Sequence, residues 1–564
     1  MKRRVLYGAA AVIVLIIAWR MPTAWYYSLP RDADTPALPF SGVNLLRVTF
    51  VIEAILLAVL AAAKWTWQSI PTDELLMLRR SPEPSSDLSR SQALIAVAII
   101  TLVAIVLRSY RLGSDLWLDE ITPIVDYGHM PVVQVIGSYL RTNNHLLNTL
   151  LTRLSIGAFG ESEWSVRLPA VLFGVATIPV FYWVARLVLS RWASVAATAV
   201  LAVSYHHIFF SQNARGYSAA LFFALATSGL LIRALADDKK WRWLLYAVCM
   251  FLGLASLAQT AFVFAAHVIV GLIAVLLIRK RGGSGAPLAR RLAIVFGITG
   301  FVSFQLYATP LPEMYAVITH LYVREATGFA PFSVVFLREL VRGATSGFGG
   351  VVPTFVFLII GAAGIVFLIR ANWMLAAVLG LPPLLTALFL LGRGLSFSPR
   401  FFLLIIPLGI LASLVVAESP AMRHPRRAVL LATLFALASL ISLRRYYRTP
   451  KQPYRAALAF LEQTRHPGEK FLIIYAGEQG FRYYVPKVAG SDRDAYDYVR
   501  TLPSFDSLIS QTQANDRVVT TFPRVLHADI PDLANRIERD WRPQRLFPAT
   551  IGDGEITIWE KKSQ

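Results

Sequence analysis

The chain has 564 residues, of which 56% are apolar and 16% charged, and its mean hydropathy is +0.54. A soluble protein of this length carries nearer a quarter of charged residues, and apolar runs of about 20 residues, the length that crosses a bilayer core, recur here. This excludes a soluble enzyme. The net charge of +21 would suit nucleic acid, but Lys and Arg punctuate the ends of apolar runs, where they set orientation in a membrane, so no nucleic-acid partner is expected. The sole cysteine, Cys249, lies inside an apolar run, which leaves no intrachain disulfide and no Cys-based metal site.

In chain order, spans are expected at 5–19, 43–63, 92–107, 166–189, 192–210, 217–235, 243–257, 260–278, 292–309, 351–369, 373–391, 401–417 and 428–443, about 13 in all. The first follows Met1-Lys2-Arg3-Arg4 and has no small-residue cleavage site near Trp25 and Tyr26, so it reads as a retained signal anchor. Basic clusters at Lys2–Arg4, Lys64 with Arg79-Arg80 and Arg90, Lys239–Arg242, Arg279–Arg281 with Arg290-Arg291, and Arg423 with Arg426-Arg427 fall on one side. The positive-inside rule makes that side cytoplasmic. The loop at Asp119, the turn 211–216, the segments 310–350 and 392–400, and the chain after Arg444 then face outward. The expected fold is an α-helical multi-pass membrane protein with a C-terminal extracytoplasmic α/β domain. Its expected parts are 1–91 (two spans and a Pro/Ser-rich cytoplasmic linker, 81–90), 92–443 (the catalytic membrane region) and 444–564 (the soluble domain). In the last, 444–465 reads as a helix, 470–476, 517–522 and 555–560 as strands, and 531–540 as a helix.

Three stretches carry candidate chemistry. The first runs from Asp115 to Arg186, where the acidic pair Asp119-Glu120 follows one apolar segment and precedes another. A carboxylate pair at such an edge can sit in interfacial water beside a lipid-embedded cavity; it is also a favoured pair at a helix N-terminus, with Pro123 in the first turn. Adjacent side chains diverge, so one of the two reaches a cavity. After Asn143, the leucines 146, 147, 150, 151 and 154 fall at helical spacing, opposite a stripe of Asn144, His145, Asn148 and Thr152. That pattern predicts a helix lying in the interface with its polar stripe toward a cavity. The second stretch, SYHHIFFSQNARGYSAALFFAL (204–225), places Arg215 at the start of a span. A guanidinium there grips phosphate oxygens bidentately or snorkels to the interface. The paired His206 and His207 read as interfacial aromatics. The third, GRGLSFSPRFFLLIIPLGILASL (392–414), places Arg400 at the outward mouth of a span, with Arg393 its nearer-surface competitor.

LWLDE, SEWSVRLPAVLFGVATIPVFYWVAR, SQNARGY, SPRFFLLIIPLGIL and YRAALAFLEQTRHPGEKFLIIYA together resemble the GT-C glycosyltransferases, in particular the bacterial relatives of protein O-mannosyltransferases and of the lipid A aminoarabinose transferase. The resemblance spans roughly residues 92–480. It implies an inverting membrane glycosyltransferase of the bacterial inner membrane. The implied donor is a polyprenyl-phosphate sugar, a divalent cation is a possible cofactor, and the acceptor is an extracytoplasmic glycan, lipid or protein. Two departures stand out: Asn144-His145-Leu146 replaces a His-Pro-Pro or Lys-Pro-Pro sequence, and Asn213 replaces the acid of SQEAR. On this reading Asp119 is the general base, Arg215 and Arg400 hold phosphate, and Glu120, Asn144 and His145 position substrate, with Asp126 and Glu161 the next carboxylates in line. The competing class is a transporter or flippase for a lipid-linked substrate, in which charges inside the spans would mark the pathway; Glu53 is the exception to their near absence.

Overall fold

The apolar runs fold as helices, since a helix satisfies every backbone hydrogen bond within its own segment. The computed structural model describes residues 2–24, 29, 40–62, 87–140, 144–316, 334, 341, 351–393, 399–418, 425–488, 493–510 and 516–562. Most of the 81–90 linker and of the 310–350 segment lies outside the described residues, as do Lys64, Arg79, Arg80, Asn143 and Arg423. Among the described residues eight helices are long and apolar enough to cross a membrane, and the pair Arg191–Val203 and Tyr205–Ser211, bent by 57°, makes a ninth if it is one span.

Each expected span overlaps a helix, and the smaller count has physical reasons. The segments 351–369 and 373–391 share the Val351–Gly392 helix, which is interrupted at Asn372 (φ −157°, ψ 91°). The Asn372 side chain accepts the Leu375 N–H at 3.0 Å, so it caps a fresh helical start as asparagine commonly does. The segments 5–19 and 401–417 lie on the shorter apolar helices Val5–Arg20 and Ile405–Ala417, and 243–257 on the 17-residue helix Lys240–Ser256.

The chain divides into two compact units. The first comprises Met1–Tyr110, Met130–Leu154 and Arg167–Ser442. Among the described spans the most enclosed is Tyr217–Asp237, 78% buried, as expected of a largely apolar helix at the centre of a core. Leu221, Leu225 and Leu231 of that helix belong to one core with Phe181, Met250, Val270, Met374 and Leu411.

The second unit comprises Arg111–His129, Ser155–Val166 and Leu443–Gln564. Its sheet has the order β2-β1-β3-β5-β4, with β1 at Phe471–Ile474, β2 at Tyr496–Val499, β3 at Arg517–Thr521, β4 at Trp541–Phe547 and β5 at Ile556–Lys561. β1 runs parallel to β2 and β3, and β5 runs antiparallel to β3 and β4. The helix expected over 444–465 is broken: one helix ends at Arg448 and the next is Tyr454–Gln463. Pro450 and Pro453 lie between them, and proline removes a backbone donor and disfavours a helical residue before it.

Candidate active site

In the second unit, Trp117 precedes the Leu118–Tyr127 helix, and Glu120 Oε2 accepts the Trp117 N–H at 3.3 Å. Glu120 has no solvent exposure, and Lys451 Nζ, itself 2% exposed, lies 3.4 Å from the same oxygen. A buried carboxylate persists as an anion only when paired and hydrogen-bonded in this way. Gln452 Oε1 accepts the Leu118 N–H at 3.0 Å, and the Tyr484 hydroxyl accepts the Leu116 N–H at 2.7 Å. Asp119, one residue before Glu120 and about 100° round the helix, is half-buried. Three neighbouring acids of this unit also pair with cations. Arg455 pairs with Asp115 and Glu163. Glu161 Oε1 meets Lys487 Nζ at 2.6 Å, and its Oε2 meets His129 Nε2 at 3.0 Å. Burial pushes the Glu161 carboxyl up, but the hydrogen bond and charge of Lys487, with Tyr483 and His129, hold it below the usual carboxylate range.

The first unit gathers cations and donors instead. The Leu146–Phe159 helix forms where the leucine spacing predicts it. Its polar stripe is the buried side: His145, Asn148, Thr149 and Thr152 are all at least nine-tenths enclosed, while Leu154 is 67% exposed. Asn144 is spent on its own loop, donating to the Val135 and Ser138 carbonyls and accepting from the Thr149 hydroxyl at 3.1 Å. It thereby fixes the residue that follows, His145.

His145 Nδ1 accepts the Gly216 N–H at 2.8 Å, and Arg215 Nη2 lies 3.2 Å from His145 Nε2. Burial, then the charges of Arg215 and Arg400, hold the imidazole well below its usual pKa, so it is neutral. A neutral imidazole carries one N–H. With Nδ1 occupied as an acceptor, that proton is on Nε2 and faces the guanidinium. Two donors confront each other. Tyr217 packs edge-on to His145, with ring centroids 5.3 Å apart, and the Arg215 guanidinium lies 5.4 Å from the Tyr217 ring centre. Tyr217 also lines an open pocket with Arg400, Gln259, Thr260 and Thr386, walled by Leu221, Leu257, Pro382 and Leu404. Gly216 admits no side chain, because a Cβ there would stand 2.1 Å from the Ser256 carbonyl oxygen and 3.2 Å from the His145 Cβ.

The structure thus brings Arg215, His145 and Arg400 together in one unit, with Asn144 supporting them, and it places Asp119 and Glu120 on one helical turn of the other. Sequence reasoning missed Lys451 and Gln452, which look like ordinary polar residues of a Pro-rich connection. It also missed Arg108, which is fully buried, donates to the Ala202 carbonyl at 3.0 Å and lies 2.6 Å from His207 Nδ1. His207 is therefore a buried polar partner, and its place beside another histidine gave no signal of that. Among the described residues no three His, Cys, Asp or Glu side chains converge in a way that would hold a metal ion.

Residues 146–307 match the family model described as dolichyl-phosphate-mannose-protein mannosyltransferase. Arg215 lies inside that range, as does Glu161, whereas Asp119, Glu120, Asn144, His145 and Arg400 lie outside it. No curated protein matches the chain. Among solved structures it is similar to ArnT from Cupriavidus metallidurans bound to undecaprenyl phosphate, at 14% identity and a TM-score of 0.48, over 84% of this chain and 98% of that one. It is also similar to the Archaeoglobus fulgidus oligosaccharyltransferase, at 13% identity and a TM-score of 0.47, over 79% and 71%. A third likeness is to the S. cerevisiae Pmt1-Pmt2 complex bound to the sugar donor, at 14% identity and a TM-score of 0.34, over 44% and 36%.

Proposed function

We propose that this chain, a multi-pass membrane glycosyltransferase related to the O-mannosyltransferases through residues 146–307, moves a sugar from a polyprenyl-phosphate donor to an extracytoplasmic glycan, lipid or protein. The observation that carries this reading is the convergence of two guanidiniums on His145, with Arg215 Nη2 3.2 Å from its Nε2 and the Arg400 charge acting on the same imidazole. Two guanidiniums acting on one neutral imidazole suit an anion, and a guanidinium fork suits phosphate. The adjoining pocket is walled by leucine and proline and is open, which suits a phosphate that arrives on a lipid.

The reaction balances without a nucleotide or a metal ion. An acceptor hydroxyl attacks the anomeric carbon as the bond from that carbon to the phosphate oxygen breaks. The bonding pair leaves with the polyprenyl phosphate, whose growing charge the arginines stabilise. The hydroxyl proton passes to a carboxylate, the role assigned to Asp119, while Glu120 pairs with Lys451 and accepts the Trp117 N–H at the helix start. The sugar is inverted in a single displacement. On this reading the N-terminus is cytoplasmic, the segment after Arg444 is extracytoplasmic and the membrane is the bacterial inner one; reporter fusions at Lys240 and Lys470 should then report opposite compartments, and equal compartments would refute the orientation.

The deciding experiment supplies purified protein in detergent with a radiolabelled polyprenyl-phosphate sugar and a hydroxyl acceptor. Label appearing on the acceptor, with release of polyprenyl phosphate, is the expected result. Transbilayer movement of intact donor in vesicles, with no label released, would instead assign the chain to the lipid flippases.

A further inference from the structure

The Leu118–Tyr127 helix has its start held by side chains that lie more than 300 residues further along the chain. Lys451 pairs with Glu120, Gln452 Oε1 accepts the Leu118 N–H, and the Tyr484 hydroxyl accepts the Leu116 N–H. One turn further on, the Thr122 hydroxyl donates to Gln479 Oε1 at 2.7 Å. On the side before the helix, Asp115 accepts the Arg455 backbone N–H at 2.8 Å. Gln452 is itself anchored, since its Nε2 donates to the Thr521 hydroxyl at 2.9 Å, at the end of β3. Lys451 is 2% exposed, and Gln452 and Glu120 have no exposure.

Three features exceed what docking a loop requires. The bonds to Leu118 and Leu116 go to backbone N–H groups at and before the helix start, the groups that lack partners inside a helix. The ion pair places a full charge of each sign in the interior, which is unfavourable unless the geometry is fixed. The pair also falls on the residue next to the proposed base, so any rotation of the turn that loosens Lys451–Glu120 swings Asp119 by the same angle.

We infer that Lys451 and Gln452 are positioning residues for transfer: they lock the first helical turn through Glu120 and Leu118, and this lock aims the Asp119 carboxylate at the acceptor hydroxyl. The inference rests on Asp119 being the base. Aligning a reacting group within a fraction of an ångström carries much of a catalyst's advantage, so the lock acts on turnover and leaves donor affinity alone. Glu120 is the inner half of the lock.

The test measures steady-state transfer on the monodisperse, folded fraction of each variant. Lys451→Met strands the Glu120 charge, and Glu120→Gln strands the Lys451 charge, so each should lower kcat by roughly tenfold or more with donor KM within about twofold. Lys451→Met combined with Glu120→Gln removes both charges and should recover most of that loss, because a buried pair replaced as a whole is tolerated far better than half a pair. Lys451→Arg, which keeps the pair, should retain most activity and stands in if Lys451→Met does not fold. Asp119→Asn should be inactive in the wild-type background and in the double variant alike.

If the double variant is as inactive as the singles while Asp119→Asn is also dead, Glu120 or Lys451 meets substrate directly and the positioning role is overturned, with the transferase reading intact. A rise in donor KM for Lys451→Met with kcat unchanged overturns it too. Normal turnover by Asp119→Asn would remove the reading on which the inference rests, whatever the Lys451 variants do.

Discussion

The cluster at His145, Arg215 and Arg400 and the turn at Asp119 and Glu120 treat buried charge in opposite ways. Around the turn four acids pair with cations: Glu120 with Lys451, Asp115 and Glu163 with Arg455, and Glu161 with Lys487. In the cluster, two guanidiniums act on one imidazole, and burial together with their charge keeps that imidazole neutral. Matched pairs build rigidity, since each partner loses by moving. Converging cations suit an anion, and on the proposed reading that anion is the donor phosphate. On the proposed reading one region aims and the other holds, and the two should fail differently.

The sharpest break is at the carboxylate. Asp119→Asn keeps the shape and removes the basicity, and general-base catalysis is worth about 10²–10⁴-fold. Turnover should fall by at least the lower figure while equilibrium binding of labelled donor stays near wild type, as expected of a group on the aiming side. Donor binding lost together with turnover would mean that the carboxylate belongs with the holding groups. A smaller effect is expected at the cluster, where Arg215→Lys keeps the charge and loses the planar fork. Donor affinity should weaken by roughly tenfold, about the value of one charge-assisted hydrogen bond. Equal affinity for arginine and lysine at this position would make Arg215 a membrane anchor and leave the phosphate to Arg400.

How much of this could be read from the sequence follows from the range of each interaction. The spans were legible because apolar length is a local property, and even the break at Asn372 fell between two expected segments. Within the C-terminal sheet, the strands at 471–474, 517–521 and 556–561 were legible as short apolar runs, whereas β2 and β4 were not. β4 buries only its two ends, Trp541 and Phe547, and contains Pro543, which argues locally against a strand and is tolerated at the sheet's edge. Arg215 and Arg400 could be picked out because a cation at a span's mouth is conspicuous. Lys451 could not, because its meaning lies in Glu120, and nothing in the Pro-rich segment around it signals a buried lysine. His145 was noticed as one of a polar stripe, but its tautomer depends on the Gly216 backbone, which no side-chain pattern encodes.

The least effect, and the most specific to the cluster, concerns pH. His145 has a folded pKa below its ordinary value of 6.5, from burial first and then from Arg215 and Arg400. Between 6.5 and that depressed value the unfolded chain binds the proton and the folded one does not, so stability rises with pH there. The contribution is complete above 6.5 and is lost progressively as pH falls below it, at up to about 1.4 kcal/mol per pH unit for a single proton. His145→Asn offers the Gly216 N–H an acceptor and has nothing to titrate. Melting in detergent between pH 6.5 and 5.5 should therefore fall more steeply for wild type than for His145→Asn, with the carboxylates common to both cancelling in the difference. Parallel curves would mean that the imidazole is not held neutral and that the donor confrontation with Arg215 does not exist. Inorganic phosphate should raise the melting temperature of wild type more than that of the variant, because His145→Asn removes the Nε2–H donor while sparing the backbone bond. An equal rise in both would leave anion binding to the arginines alone.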